Sequence, residues 1–261
     1  MPVKVLSLLE EHCSLFAVGH MAIAYLLGKG SAKPLHVKFN IPLLLVLSIL
    51  PDIDIFYDFL TGAQLHRGPT HSIVVAALVF VPFFIIYRKK AIPYFLALIS
   101  HSLIADFFIG GQLQLFWPLS NGGFGFHELG GYYISIFYDV NLAAELILFA
   151  IAMAILYKSG DWKVFFTNHK SNLVLIIPIL TVLLPTTVGY PFSQSLFASQ
   201  DILLLLLALA HLFLLVLFGI AVLKVIVPSS KKEPAQPKVE SVNPREEAST
   251  SILSKSLLCG K

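Results

Sequence analysis

Long apolar runs alternate with short polar segments over most of the chain. A helix that crosses a bilayer needs about 20 residues, with a range of about 17–25, and four of the runs reach that length. The pattern predicts an all-α, polytopic helical membrane protein with about seven transmembrane helices. The predicted segments are Cys13–Gly28, Ile41–Leu60, Ser72–Tyr87, Ala91–Ile109, Tyr132–Tyr157, Leu173–Tyr190 and Ile202–Val227.

The composition also indicates a membrane protein. Of the 261 residues, 57% are hydrophobic and 13% are charged, and the mean hydropathy is +0.82. Soluble domains carry about 25% charged residues, so a soluble globular fold is excluded. The two cysteines, Cys13 and Cys259, lie at opposite ends of the chain, which indicates neither a disulfide framework nor a thiolate metal site.

Lysine and arginine residues collect in every second connection between the segments. They follow the first, third, fifth and seventh segments, whereas the long loop 110–131 contains none. Cytoplasmic loops are enriched in these residues. We therefore expect the N-terminus outside the membrane and the C-terminus in the cytoplasm.

The same pattern divides the chain into four regions. They are a short N-terminal segment (1–12), a metal-site membrane domain with four helices and a long outer loop (13–131), three further transmembrane helices (132–227) and a disordered cytoplasmic tail (228–261). The tail is too polar to bury enough apolar area to fold. The first region lacks the order of a cleaved signal peptide, so the first apolar segment is expected to be retained.

Charged and imidazole side chains concentrate in one stretch of this apolar chain. Pro51-Asp52-Ile53-Asp54 is followed by His66-Arg67-Gly68-Pro69-Thr70-His71-Ser72. A charge at membrane depth costs roughly 2.5–3.5 kcal/mol on insertion scales, so such residues are interpreted as functional. The predicted topology brings His20, His101 and Asp106 to the same, outer side of the membrane.

These residue types indicate a metal centre. Imidazole and carboxylate together favour zinc, manganese, nickel or iron over calcium or magnesium. The seven candidates are too many for one zinc ion, so about two or three divalent ions per chain are expected, zinc first and manganese second. The predicted ligands are His20, Asp52, Asp54, His66, His71, His101 and Asp106. The alternative for the 52–71 stretch is a polar turn at the bilayer surface.

Local geometry adds two expectations. Pro51 is expected to end regular helix and to place Asp52 and Asp54 in an extended turn, where residues two apart point the same way. His101 and Asp106 are five residues apart, about 140° around a regular helix. Either a π-bulge realigns them, or Asp106 begins a loop; otherwise Asp106 drops out of the site.

Two more polar residues lie inside the predicted segments. Glu145 is a further ligand, a partner that orients a histidine, or the acceptor of an inter-helix hydrogen bond, and we favour the last two. His211 lies far along the chain from the cluster, and we interpret it as a polar group in helix packing.

The motifs resemble those of a known family. Gly19-His20, Leu50-Pro51-Asp52-Ile53-Asp54, the His66–Ser72 block, Ser100-His101 with Asp106, and Trp117-Pro118-Leu119-Ser120 are similar to the YdjM family over Phe16–Ser120. Members are regarded as membrane-bound, metal-dependent hydrolases, distantly similar to zinc-dependent phospholipase C and P1-type nucleases. The resemblance therefore implies phosphoester hydrolysis. In the family pattern the histidine and aspartate are usually four apart, so the spacing of five here is a departure.

Together these features predict a membrane-embedded, metal-dependent hydrolase on the extracytoplasmic side of the cell membrane. It would cleave a phosphoester of a lipid or lipid-linked substrate with metal-activated water. Arg67 is expected to bind the phosphate bidentately, and Asp54 to handle protons. The expected partners are the bilayer and this substrate, not nucleic acid, and the oligomeric state stays open. The alternatives are a divalent-metal transporter and a non-catalytic scaffold that acts through its tail.

Overall fold

The computed structural model of the protein describes residues 16–227, apart from residues 64, 110, 133, 136 and 188–200. Within these ranges the chain is mostly helical and forms no β-strand beyond an isolated antiparallel bridge between Leu113 and Phe124. The helices are α1 (Ala17–Leu35), α2 (Ile41–Leu47), α3 (Ile53–Thr61), α4 (Ile73–Tyr87), α5 (Ile92–Ser100), α6 (Asp139–Lys158), α7 (Lys170–Thr187) and α8 (Ile202–Ile226). The all-helical prediction is confirmed for this part of the chain. The predicted regions 1–12 and 228–261 lie outside it.

Helix starts follow local capping rules. The side chain of Asn40 accepts a hydrogen bond from Leu43 N at 3.0 Å, and Pro42 occupies the first turn of α2, where its missing N–H is no loss. Ser72 caps α4 in the same way. Asp201 caps α8 through the backbone N–H groups of Leu203 and Leu204.

Helix α1 lies in the interior of the protein. It packs against α2, α5, α6 and α8, and residues 17–25 are all buried. A Cβ atom at Gly28 would come within 2.6 Å of the Leu44 side chain, so the absence of a side chain lets α1 and α2 approach closely. The first apolar run is therefore covered largely by protein, and its helix extends beyond the predicted end at Gly28 to Leu35.

Three helices are long and apolar enough to cross a membrane, namely α6, α7 and α8. They correspond to the fifth, sixth and seventh predicted segments. Helix α6 begins at Asp139 rather than Tyr132, because an acidic side chain is favoured in the first turn of a helix. The end of the sixth predicted segment lies outside the described residues. The other crossings, and the orientation, stay predictions.

The second apolar run is broken, in contrast to the single segment predicted from the sequence. Helix α2 ends at Leu47, a 3₁₀ turn covers Leu50–Asp52, and α3 begins at Ile53. The extended turn predicted for Asp52 and Asp54 is wrong: Asp52 ends the 3₁₀ turn, and Asp54 lies in the first turn of α3. Pro51 is tolerated in a first helical turn, so it interrupts the run without making the backbone extended.

Candidate metal centre

The seven side chains predicted as ligands lie in one cluster. His20 comes from α1, Asp52 and Asp54 from the break between α2 and α3, His66 and His71 from the connection between α3 and α4, and His101 and Asp106 from the segment after α5. Six of these side chains are buried, and the His66 side chain is 13% exposed. The tertiary structure thus assembles residues that are as far as 86 positions apart in the sequence.

A π-helical turn aligns the last two members of the cluster. Residues His101–Asp106 form this turn, and Phe107 N donates to Ser102 O, five residues earlier, at 3.0 Å. The wider turn brings His101 Nε2 to 3.5 Å from Asp106 Oδ2. The π-bulge alternative is therefore confirmed, and the spacing of five residues keeps Asp106 in the cluster. Single π-turns of this kind occur often at functional sites.

Four atoms in the cluster have the mutual spacing of ligands around one ion. His71 Nε2 and His101 Nε2 are 3.2 Å apart; Asp106 Oδ2 is 3.2 Å from the former and 3.5 Å from the latter. Asp52 Oδ1 is 3.5 Å from His71 Nε2 and 3.1 Å from His101 Nε2. Zinc bonds of about 2.0–2.2 Å place neighbouring tetrahedral ligand atoms about 3.3 Å apart. Five of the six distances among these atoms therefore match the spacing of neighbouring ligand atoms around a zinc ion.

The electrostatics of the cluster also fit a cation. Both carboxylate oxygens of Asp106 are buried, and neither accepts a hydrogen bond from the part of the chain that the structure describes. A buried, ionised carboxylate without such partners is costly unless a cation compensates it. Three buried carboxylates surround the site, whereas Arg67 is the permanently charged cation among the described residues that contact it. A divalent ion would offset this excess of negative charge.

The Nδ1 atoms of His71 and His101, which point away from the centre of the cluster, form hydrogen bonds to the protein, and these bonds fix the orientation of both rings. His101 Nδ1 donates to Ser48 O at 2.7 Å. His71 Nδ1 donates to the Thr70 hydroxyl at 3.0 Å, and that hydroxyl donates to Asp54. Each Nε2 atom therefore presents a lone pair toward the other, an arrangement that needs a cation or a proton between them. Hydrogen bonds to the outward nitrogen are a common feature of metal-binding histidines.

Asp54 contacts His66 and His71, but its oxygens are not among the four closely spaced ligand atoms. Its Oδ1 accepts from His66 Nδ1 at 2.9 Å, and its Oδ2 accepts from Thr70 and lies 3.4 Å from His71 Nδ1. Both oxygens are thus occupied by protein donors. These contacts favour a positioning role for Asp54 toward two imidazoles, and its predicted roles as ligand and proton carrier stay predictions.

His71 lies in the connection before α4, outside the membrane-spanning helices. Burial alone would lower the pKa of its imidazole, but the close carboxylates of Asp106, Asp52 and Asp54 raise that pKa well above its usual value. Without a metal, His71 therefore holds a proton among the carboxylates. A metal ion must displace this proton to bind, which couples metal affinity to pH.

Arg67 has a structural role in addition to the predicted one. Its guanidinium is buried and donates to three backbone carbonyls, those of Gly111 at 2.8 Å, Asp106 at 3.0 Å and Ile109 at 2.7 Å. These bonds hold the residues after the π-turn and help fix Arg67 itself at a positive φ of 64°. Most donors of this side chain are thus used inside the protein, while Arg67 also lines the polar cavity beside His66, so the phosphate clamp stays a prediction.

The two other polar residues predicted inside apolar segments, Glu145 and His211, form hydrogen bonds between packed parts of the chain. Glu145 on α6 is fully buried, and its Oε1 accepts from Phe16 N, which precedes α1, at 3.1 Å. The inter-helix hydrogen bond predicted for Glu145 is confirmed, and this bond lies one turn before His20. His211 Nε2 donates to Leu183 O at 2.8 Å between α8 and α7, as expected for a packing residue.

Sequence reasoning gave no role to two residues that support the ligands. The backbone carbonyl of Ser48 and the hydroxyl of Thr70 orient His101 and His71. Thr70 stands directly beside His71, so its position was an available signal. The carbonyl of Ser48 left no signal, because any residue type supplies a backbone oxygen.

A polar cavity of about 400 Å³ opens beside the cluster. His66 is the predicted ligand that lines it, and the loop after the π-turn contributes Gln112, Gln114 and Asn121. This loop is fastened to the histidine turn, since Gln114 N donates to Arg67 O at 2.9 Å and Ile73 N donates to Leu115 O at 3.0 Å. The cavity therefore borders the cluster at His66.

The family model described as YdjM inner membrane protein matches residues 16–222. The chain belongs to this family. The match covers well over half of the 261 residues and extends past the motifs into α6, α7 and α8. No curated protein and no solved structure matches the chain significantly. The YdjM assignment and the three long apolar helices agree on an inner membrane protein.

Proposed function

We propose that this YdjM protein is a membrane-embedded, metal-dependent hydrolase. The observation that supports it most is the close approach of His71 Nε2, His101 Nε2, Asp52 Oδ1 and Asp106 Oδ2, with five of their six mutual distances at 3.1–3.5 Å. The two imidazoles have their outward nitrogens fixed by protein acceptors. A polar surface turn would not require lone pairs to face each other in a buried site.

The proposed cofactor is zinc, with manganese as the second candidate, at about two or three ions per chain. The four tetrahedral atoms would hold one ion. His20 and His66, at the edge of the cluster, would be ligands of the further ions. His20 Nε2 lies 3.8 Å from Asp106 Oδ1. A divalent metal there lowers the pKa of a coordinated water toward neutrality and polarises a substrate oxygen.

In this proposal, nearby protein groups position the metal-binding histidines, and a cavity admits the substrate. Asp54 and Thr70 hold His66 and His71 in place, and Arg67 keeps the backbone after Asp106 fixed. The polar cavity beside His66 gives a substrate headgroup access to the cluster. The choice of a phosphoester of a lipid or lipid-linked substrate rests on the resemblance to zinc-dependent phospholipase C and on the membrane setting.

The proposal includes a topology. Seven crossings, an outer N-terminus and a cytoplasmic C-terminus would place the cluster on the extracytoplasmic side. The support is the alternation of lysine and arginine between loops. Single cysteines are introduced at Gln112 or Lys89 in a variant whose native Cys13 and Cys259 are replaced by serine, and their modification by a membrane-impermeant thiol reagent in intact cells tests this. Labelling at position 112 and protection at position 89 is the expected result.

The decisive experiment measures metal content and hydrolysis together. The full chain, purified in detergent, is exposed to zinc or manganese, desalted and analysed by mass spectrometry for metal per chain, beside His101→Ala and the exposed control His169→Gln. We expect metal in the wild type and the control, and none in His101→Ala. Release of phosphate or a headgroup from phospholipids and phosphodiesters, screened with the loaded protein, should follow the same order. A well-folded wild type without metal would overturn the proposal.

A further inference from the structure

A second cavity, of about 490 Å³, lies between α2, α4 and α5. These helices run between two ends of the protein: the start of α2, the start of α5 and the end of α4 lie at one end, and their opposite ends lead to Asp52, His101 and His71. The cavity is thus distinct from the polar cavity beside His66. Its volume lies in the range of ligand pockets, about 300–1,000 Å³.

The cavity is lined by apolar side chains along its length and by lysines at one end. Apolar side chains make up most of the wall, among them Leu43, Leu47, Val79, Phe80, Phe83 and Leu98. The end formed by the starts of α2 and α5 also carries two lysines, Lys38 and Lys90. This combination is amphipathic, with a long apolar part and a cationic end.

Both lysines are available to a ligand. They are exposed, and among the described residues the lysine that forms an ion pair is Lys29, with Asp161. Two unpaired ammonium groups at the end of an apolar cavity complement an anion that is attached to a hydrocarbon chain. Basic pockets between transmembrane helices bind anionic lipid headgroups in this way.

In the proposed seven-crossing topology, the cavity is also reachable from the bilayer. Val79 and Phe83 on α4 line it and are 54% and 46% exposed, so this wall is open to the side of the helix bundle. Phe80, between them, is 5% exposed and forms the inner wall. A chain that is already in the membrane can therefore enter laterally, without passing through water.

We propose that this cavity binds an acyl chain of an anionic phospholipid, with the lipid phosphate at Lys38 and Lys90. The proposal does not depend on hydrolysis at the metal centre. The bound lipid would contact α2 and α5, the helices that lead to Asp52 and His101, and would stabilise the protein that it binds.

The test uses the full chain in detergent, with phosphatidylglycerol and phosphatidylcholine of identical acyl chains as probes. Native mass spectrometry counts retained lipids, and thermal unfolding measures stabilisation. Wild type should retain phosphatidylglycerol with preference over phosphatidylcholine. The double variant Lys38→Gln/Lys90→Gln should reduce that preference by roughly 30-fold, since each of the two basic residues near a membrane surface contributes about 1 kcal/mol.

The matched control removes the same charge from the same surface. Lys33→Gln/Lys89→Gln changes exposed lysines that do not line the cavity, and it should retain the preference. Val79→Trp fills the cavity and should reduce retention of both lipids while metal content stays unchanged. Equal retention of the two lipids by wild type would overturn the proposal. So would an equal effect in the control variant, or displacement of phosphatidylglycerol by inorganic phosphate, which would indicate an anion site without a chain.

Discussion

The first part of the described chain, residues 16–131, and the last part, residues 139–227, use helices in different ways. Helix α1 at the centre of the first part buries 11 of its 19 residues, whereas α6 in the last part buries five of its 20, and α4, at the edge of the first part, buries only Phe80. The first part is broken by 3₁₀ and π turns around the cluster. The last part contains the three helices that are long and apolar enough to span a membrane, and its own 3₁₀ and π segments, Asp161–Phe166, Lys170–Leu175 and Ile179–Leu183, carry none of the predicted ligands.

This difference teaches where chemistry can be placed in an apolar protein. A continuous helix satisfies its own backbone and presents side chains at regular intervals, so it cannot easily bring several ligands to one point. Interruptions at Pro51, at the 69–71 turn and at the π-turn release this constraint in the first part. The irregular backbone there is covered by protein, as such backbone must be at membrane depth.

The largest expected effect is a difference in metal content between two histidine variants, one in each part of the chain. His101→Ala removes a tetrahedral ligand, so we expect complete loss of bound metal. His211→Ala removes a histidine that packs α8 against α7 and should retain full metal content despite some loss of stability. Metal per chain, measured by mass spectrometry on both variants, checks this. Loss of metal in both would show that the two parts are not functionally distinct.

Asp54→Asn should weaken the centre without abolishing it. The asparagine keeps the size of the side chain but loses the charge that orients His66 and His71. Substitutions of such supporting groups typically cost about 10–100-fold in metal affinity. A competition titration with a chelator of known affinity measures the change. An effect as complete as that of His101→Ala would instead make Asp54 a direct ligand.

The pH dependence of metal binding should reflect the proton on His71. Because its pKa is raised above the usual value, the proton is bound at neutral pH and must leave when the metal binds. Affinity should therefore fall as the pH is lowered, by about tenfold per unit for each proton displaced. Zinc titrations between pH 8 and pH 6 test this sign. An affinity that is constant over this range would mean that no proton is displaced.

The smallest effect concerns the link between the two parts, Glu145 on α6 and the backbone N–H of Phe16 before α1. Glu145→Ala leaves a buried donor without its acceptor and should lower the free energy of unfolding by about 1–3 kcal/mol. Glu145→Gln keeps an acceptor oxygen and should stay close to wild type. Thermal unfolding of both variants measures the difference. Equal stability of the two would remove this bond as a link between the parts.

The helical class and the members of the cluster were predictable from the sequence because they depend on local composition. Charged and imidazole residues are so costly in an apolar chain that their presence alone marked His20, Asp52, His71 and their neighbours. The spacing of His101 and Asp106 also limited the backbone to a π-bulge or a loop start. These inferences needed no knowledge of which segments pack together.

Only the tertiary structure decided which partner each polar group has. Arg67 was expected at a substrate phosphate, but its donors reach carbonyls 39–44 residues later in the chain. Asp54 was expected among the ligands, but both of its oxygens are used by side chains of the next turn. A sequence determines which groups must avoid lipid, since that cost belongs to each residue. It does not show which long-range contact pays that cost, because the choice depends on how all the helices pack.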